Sequence, residues 1–494
     1  MAIPKVCGIE TEFGILLGGP TESNPIAASS VLINAYVASL QRKVSWDFED
    51  ESPGNDARGY SAADASPPEV ETHLVNAVLT NGARFYVDHA HPELSTPECR
   101  DAREIVVWDK AAERILVEAM KAAAATLPPG HEVVVHKNNS DGKGNSYGCH
   151  ENYLLDRAVP FGRIVSGILP FFVTRQIVAG AGKVGCEAPG GQSRGRFELS
   201  QRADFFEEEV GLETTLKRPL VNTRDEPHCD ASRYRRLHVI LGDANLSEVS
   251  TFLKVGTTAI VLAMIEDDEL PRDLTLASPV ASVRAVSHDV ELRGLIELAG
   301  GGRISALDVQ WEYLDGAKKY AESRGLEAVG EEVGAEVLRR WEDVLTALET
   351  DPMSLSGTLD WVAKVSLLEA YRERHGLAWG DARLAAVDLQ YHDLRPSKSL
   401  FARLPVERIT TDAEVEAAIT EPPRSTRAFF RGRCLQRWSS SIVAANWDSL
   451  VFDVGGDPLR RVPMMEPLRG TAAHVEELLN SCSTPAELLE RLGT

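Results

Sequence analysis

The chain is short of positive charge and of long apolar runs, and each shortage excludes something. Lys and Arg number 52 against 74 Asp and Glu, a formal net charge of −22. Nucleic acid, which is held by clustered cations, is therefore not an expected partner. The most apolar long stretch, VSTFLKVGTTAIVLAMIED, contains Lys254 and falls short of a clean membrane-length run of about 18 residues. It predicts a buried helix and no membrane span. The cysteines (Cys7, Cys99, Cys149, Cys186, Cys229, Cys434 and Cys482) are odd in number and show no CxxC pairing. Neither a zinc ribbon nor a disulfide framework follows from them. Met1 to Val6 is too short to hold a signal peptide, so the expectation is a cytoplasmic protein. GAGK at 180–183 is not followed by Ser or Thr, so it is no Walker loop, and no GxSxG elbow occurs. No internal repeat is visible.

What is there suits a soluble globular protein. The 494 residues, 43% hydrophobic and 26% charged, can bury a large core and divide into more than one domain. A strand is expected around Val6–Ile15 and a helix near Ala27–Gln41. The acidic, Gly/Pro/Ser-rich stretch at about 44–71 then has no periodicity and reads as a long loop. Order resumes at NGARFYVDHAHPELSTPEC, where Pro92 is expected to interrupt the strand and turn Glu93 in a new direction. A helix follows from Asp101, and HEVVVHKNNS, SYGCHENYLL and RYRRLHVILGD read as strands. Asn245 and Glu248 have capping-box spacing. Amphipathic helices run from about Ala306 to Gly376, and EPPRSTRA at 421–428 reads as a joint. The fold class is α+β, with residues 1–420 as a main domain and 421–494 as a small C-terminal domain ending in a Thr-capped helix with Pro at its first position.

Polar residues inside the strands recur at i, i+2 spacing: Glu10/Glu12, Arg84/Tyr86/Asp88, His150/Asn152 and Arg236/His238. That spacing puts each set on one strand face. Any single pair is explained by a solvated sheet face, but four sets together point to a polar channel. Carboxylate and imidazole donors at this density suit Mg²⁺ or Mn²⁺, which usually come with nucleotide phosphates. Asp88 stands out, beside an Arg and a Tyr in a strand otherwise of Phe, Val and Ala. It reads either as a structural partner of Arg84 or as a carboxylate for nucleophilic or general-base work. The 175–236 stretch, with ten acidic and eleven basic residues, escapes the general acidity. Within it, GAGKVGCEAPGGQSRGR reads as a loop carrying Lys183, Arg194 and Arg196.

GIETEFG, NGARFYVDHAHPE, STPEC, YGCHENY, RYRRLHVILGDANLSE, LDWVAK, DLQYHD and ANWD together resemble the Pup ligase/depupylase family, over nearly the whole chain. The resemblance implies a glutamine synthetase-like fold, a curved antiparallel β-sheet packed on helices with a small C-terminal domain, cradling ATP and Mg²⁺. It implies Glu10, His150 and His238 as metal ligands, with Tyr86 and Glu93 at a neighbouring metal position. Arg84 and Thr96 would contact nucleotide, Arg236 phosphate, and Trp447 would complete the ATP site from the C-terminal domain. Asp88 would be the catalytic carboxylate. The partners implied are Pup, a disordered protein modifier, and pupylated proteins. One branch of the family joins Pup to lysine and the other hydrolyses that bond and deamidates Pup. The acidic loop and the compact DHAHPE resemble the hydrolytic branch; Leu94 departs from the Tyr often found after HPE.

Overall fold

The ten strands of the central sheet run, in chain order, β1 (Cys7–Glu12), β2 (Ser45–Trp46), β3 (Asn76–Val78), β4 (Arg84–Asp88), β5 (His91–Ser95), β6 (Cys149–Asp156), β7 (Tyr234–Val239), β8 (Ile442–Ala445), β9 (Ser449–Phe452) and β10 (Arg460–Pro463). Their spatial order is β7-β6-β1-β5-β4-β3-β2-β8-β9-β10. All neighbours are antiparallel except β2 and β8, which run parallel. This is a computed structural model, and it describes residues 1–19, 24–40, 44–49, 51–60, 75–187, 197–456 and 458–493.

Strand alternation divides the sheet into an apolar back and a polar front. Ile9, Phe85, Val87, Leu94, Cys149, Tyr153, Leu237 and Val239 are buried on the back. There they pack on the helices Ala102–Ala124, Phe161–Thr174 and Glu248–Glu266 and on the Pro25–Ser39 helix. Helix Glu248–Glu266 is long and apolar enough to cross a membrane, but it lies wholly inside the fold. A buried charge interrupts the apolar back. Glu151 of β6 is fully buried, but both its oxygens accept from Arg175, at 2.6 and 2.8 Å, so the buried charge is paired.

Several expectations change on contact with the structure. The first strand stops at Glu12; Gly14–Gly18 pairs with Glu132–His136 in a separate two-stranded sheet. The stretch read as one long loop contributes β2, because Trp46 buries itself beside the C-terminal strands. Its described remainder is docked: Ala57 N–H donates to the Thr223 carbonyl at 2.8 Å, and the Thr223 hydroxyl to Asp56 at 2.8 Å. Residues 50 and 61–71 of that stretch lie outside the described residues.

Pro92 does not interrupt the chain's return. The turn comes earlier, at His89, whose φ is 50°, and Pro92 sits within β5 with Glu93 opposite Tyr86. The cap of helix Glu248–Glu266 is Ser247, whose hydroxyl accepts from Ser250 N–H at 3.2 Å. Asn245 instead donates to Asp360 and to the Ala179 carbonyl. Lys183 is no loop lysine; it is buried in a short strand, Lys183–Val184, and paired with Glu187 at 3.0 Å. Arg194 and Arg196 lie outside the described residues.

The last seventy or so residues supply most of one apolar cluster, built on Phe429, Phe430, Leu435, Trp438, Phe452 and Leu488, which also takes in Val44, Trp46 and Val78. Their strands β8–β10 nevertheless continue the central sheet. Thr484 caps the final helix, with Pro485 at its first position. The pairing of β8 with β2 thus joins the last seventy or so residues to the rest of the chain.

Candidate active site

Register brings the i, i+2 sets together. Glu10 stands opposite Ser95 on one side and His150 on the other; Ser95 in turn faces Arg84. One step along, Glu12 faces Glu93 and Glu93 faces Tyr86. His238 lies opposite Asn152. The front of β7-β6-β1-β5-β4 is thus one continuous polar surface.

At its centre, ligand atoms of Glu10, His150 and His238 lie within 4.8 Å of one another. Asn152 organises them. Its amide donates to Glu10 Oε1 at 2.8 Å, while its carbonyl oxygen lies 2.9 Å from His238 Nδ1 and accepts from Arg236 Nη1 at 3.0 Å. A hydrogen bond at Nδ1 fixes the imidazole so that Nε2 is presented outward. His238 Nε2 is buried and has no hydrogen-bond partner among the described residues. An orphaned buried imidazole nitrogen beside a carboxylate and a second His is the donor set of a divalent cation, so these residues fit one. Burial opposes the Glu10 charge, but His150, His238 and Arg236 hold its carboxyl well below the usual range. Burial also drives His238 well below its ordinary value, so its ring is neutral, as a ligand must be.

Glu93 behaves oppositely. Burial, then the charges of Asp88, Glu12 and Glu10, push its carboxyl well above the ordinary value. Burial and Glu93 raise the Tyr86 phenol likewise. Carboxylates crowded in this way call for positive charge between them. Glu12, by contrast, accepts the Gly148 N–H at 2.8 Å. Asp88 closes β4 at the turn, with its carboxylate 3.0 Å from His89 Nδ1 and a side chain 25% exposed. Burial works against its ionisation, but the His89 hydrogen bond and the nearby His150 and Arg84 charges keep it below the ordinary carboxylate range.

The other end of the front holds a cavity walled by Gly8, Glu10, Thr96, Arg236, His228 and Trp447. The Thr96 hydroxyl accepts from Ile9 N–H at 3.1 Å, locking that wall. Arg84 is just beside it, its guanidinium 3.9 Å from the Trp46 ring and 4.0 Å from the Tyr86 ring. Trp46 meets Trp447 edge-on at 5.2 Å. Arginine, aromatic rings and a half-open cavity suit a flat, phosphorylated ligand. The structure therefore gathers Glu10, His150, His238, Arg236, Thr96 and Trp447 closely, with Tyr86, Glu93 and Asp88 farther along the same face.

Two features escaped sequence reading. Asn152 belonged to a recognised i, i+2 set, but its part as the hub rests on register across three strands. Glu98 of STPEC is clamped by Arg427 Nε at 2.7 Å and by Arg431, and Arg431 Nη1 also donates to the Trp447 carbonyl at 2.9 Å. This clamp ties Trp447 to the end of β5, and partners more than 300 residues apart leave no local signal.

A family model described as Pup-ligase protein matches residues 5–451. The chain belongs to the Pup-ligase protein family. It is 54% identical to a protein of Acidothermus cellulolyticus named depupylase and 48% identical to one of Mycolicibacterium smegmatis named Pup deamidase/depupylase, each over 99% of both chains. A Pup–protein ligase of Nakamurella multipartita is 39% identical, over 97% of this chain and 99% of its own. Among solved structures, the complex of Pup with its ligase PafA matches with a TM-score of 0.82 and 32% identity, covering 99% of this chain and 94% of that one. PafA in complex with ADP matches with a TM-score of 0.73 and 36% identity, over 82% and 89%. The α+β fold is thus that of the Pup ligases.

Proposed function

We propose that this chain is a Pup deamidase/depupylase, an ATP- and Mg²⁺-dependent amidohydrolase that cleaves the Pup–lysine isopeptide bond and deamidates the C-terminal Gln of Pup. Full-length identity of 54% and 48% to proteins named for that activity, against 39% to a ligase, carries the choice of branch. The geometry supports the chemistry. Nucleotide would occupy the cavity of Thr96, Arg236 and Trp447, with Arg84 at its edge, as ADP-bound PafA leads one to expect. Glu10, His150 and His238 would hold a divalent cation, with Tyr86 and Glu93 at a neighbouring position. Bound there, Mg²⁺ would supply positive charge for phosphate oxygens and for oxyanion development.

The residues of the chain divide the remaining work. Arg236, held by Asn152 and 3.7 Å from Glu10, presents its guanidinium towards the cavity. Arg84, stacked between Trp46 and Tyr86, is fixed in orientation before any ligand arrives. Asp88, ionised and partly open to solvent, either attacks the γ-carbonyl of the terminal Pup residue or takes a proton from the attacking water. Deamidation and depupylation are then one reaction with ammonia or a lysine amine as leaving group. A cytoplasmic setting fits, since no disulfide joins the cysteines among the described residues.

The test is incubation of the purified chain with a Pup–lysine conjugate and Mg·ATP. Free Pup should accumulate far beyond ADP, and Asp88→Asn should lower the rate by about 10²–10⁴-fold. Conjugate formed from Pup ending in Glu, with stoichiometric ADP, would assign the chain to the ligating branch instead.

A further inference from the structure

A second group of metal-type donors lies away from the sheet. Cys186, Glu198, Asp204 and His288 place one ligand atom each within 4.8 Å of one another. They come from four separate pieces of chain. Cys186 follows the strand Lys183–Val184, and Glu198 ends the strand Phe197–Glu198 paired with it. Asp204 lies in the short 3₁₀ turn Ala203–Phe205, and His288 is the last residue of helix Pro279–His288.

The spacing is that of a coordination shell. His288 Nε2 is 3.0 Å from Asp204 Oδ1, 3.5 Å from Glu198 Oε1 and 3.9 Å from Cys186 Sγ. A tetrahedron with bonds of about 2.0–2.3 Å has edges of roughly 3.3–3.8 Å. Asp204 is already oriented for it: Oδ2 accepts the Glu187 N–H at 2.8 Å, leaving Oδ1 turned to the cluster. The independent observation is Glu198. Its side chain is 98% buried, from a relative exposure of 2%, and among the described residues neither carboxylate oxygen has a hydrogen-bond donor, the His288 ring standing 3.5 Å from Oε1. A carboxylate buried so deeply with neither oxygen satisfied calls for a cation. Lys183 lies 3.8 Å from Asp204 but spends its nearest contact on Glu187. His288, 37% exposed, leaves an entry path from solvent.

We propose that Cys186, Glu198, Asp204 and His288 form a structural transition-metal site, with Zn²⁺ as the preferred ion. A thiolate and an imidazole select zinc over Mg²⁺, which takes oxygen ligands. The four ligands close the tetrahedron and leave no position for water, the arrangement of structural sites. The ion would pin the paired strands, the 3₁₀ turn and the helix end to one another. Binding displaces the protons of the Cys186 thiol and of His288.

The experiment uses the full chain, stripped of metal by a chelator and kept in excess Mg²⁺ so that oxygen-rich sites are filled. Titration with Co²⁺ alone should develop thiolate-to-cobalt charge-transfer absorption at one equivalent, and Zn²⁺ should displace it. Cys186→Ser should abolish the band, His288→Ala should weaken Zn²⁺ binding at least about tenfold, and Glu10→Gln should leave both unchanged. A second reading needs no variant. Cys186 is the half-exposed cysteine among seven, so a thiol reagent should label it first, and Zn²⁺ should protect it. Absence of the band, persistence of the band in Cys186→Ser, or labelling of Cys186 unaffected by Zn²⁺ would each overturn the site and leave a histidine-bridged ion-pair cluster.

Discussion

The two donor clusters are alike in chemistry and opposite in construction. Glu10, His150 and His238 project from three adjacent strands of the central sheet, so ladder hydrogen bonds fix their spacing. Cys186, Glu198, Asp204 and His288 come from strand ends, a turn and a helix terminus, each held by its own segment and not by one common ladder. The sheet cluster has arginines, aromatic rings and a cavity beside it. The peripheral one has a lysine beside it. The first arrangement presents a reacting ligand; the second ties pieces of chain together.

The sharpest way to break that contrast is to remove one donor from each. Glu10→Gln should lower Pup release by more than about 100-fold, beyond the range typical of outer partners, while His288→Ala should change it by about twofold or less, as expected for a distant site. Equal losses in a steady-state release assay would mean that the two clusters serve one function. Asn152→Ala comes next. It frees the His238 ring and removes a partner from Glu10 and Arg236, so activity should fall by about 10–100-fold. Part of that loss should be recovered at high Mg²⁺. Loss that no Mg²⁺ concentration relieves would make Asn152 a ligand of the substrate instead.

The same contrast explains what could be read in advance. A period of two survives in sequence, so Glu10/Glu12, Arg84/Tyr86/Asp88 and Arg236/His238 were visible as face-sharing sets, and register then had to be supplied by the fold. Glu198 and His288 are ninety residues apart and follow no period, so nothing local marks them. Zinc does not follow from the sequence because the cysteines show no CxxC pairing, a criterion blind to ligands from four separate pieces of chain. Pro92 misleads for another reason: it is expected to turn the strand, yet the chain has already turned at His89. Trp46 was hidden by the acidic residues around it, although its own bulk drives β2 into the sheet.

The clamp on Glu98 tests how the sheet cluster's cavity is held. Burial disfavours the Glu98 charge, but Arg431 and Arg427 more than offset this and hold the carboxyl at about 2, against 4.5 ordinarily. A folded value below the unfolded one stabilises the fold above about pH 4.5, and that stability is lost as pH falls towards about 2. The difference is worth about 3 kcal/mol. Glu98→Gln should therefore lower stability at pH 7 by about that amount in urea unfolding and flatten the acid limb of the profile between the two values. It should also raise the KM for ATP, since Arg431 positions Trp447. An unchanged acid limb would show that the clamp contributes nothing to stability.

The smallest effect concerns the floor beneath both clusters. Helix Glu248–Glu266 packs under the sheet, and its Lys254 donates to the carbonyl of Asp243 at 2.7 Å. The carboxylate of Asp243 in turn takes the backbone N–H groups of Ala181 and Gln201 and the hydroxyl of Ser200, the segments that carry the peripheral cluster. Loosening the helix start should disturb both regions equally and neither strongly. Ser247→Ala removes the hydroxyl that receives Ser250 N–H and should cost about 1 kcal/mol, whereas Ser247→Gly should cost only a few tenths. Pup release at 25 °C should stay the same in both. A release rate that falls in Ser247→Ala, with cobalt binding intact, would show that the helix supports the sheet cluster alone.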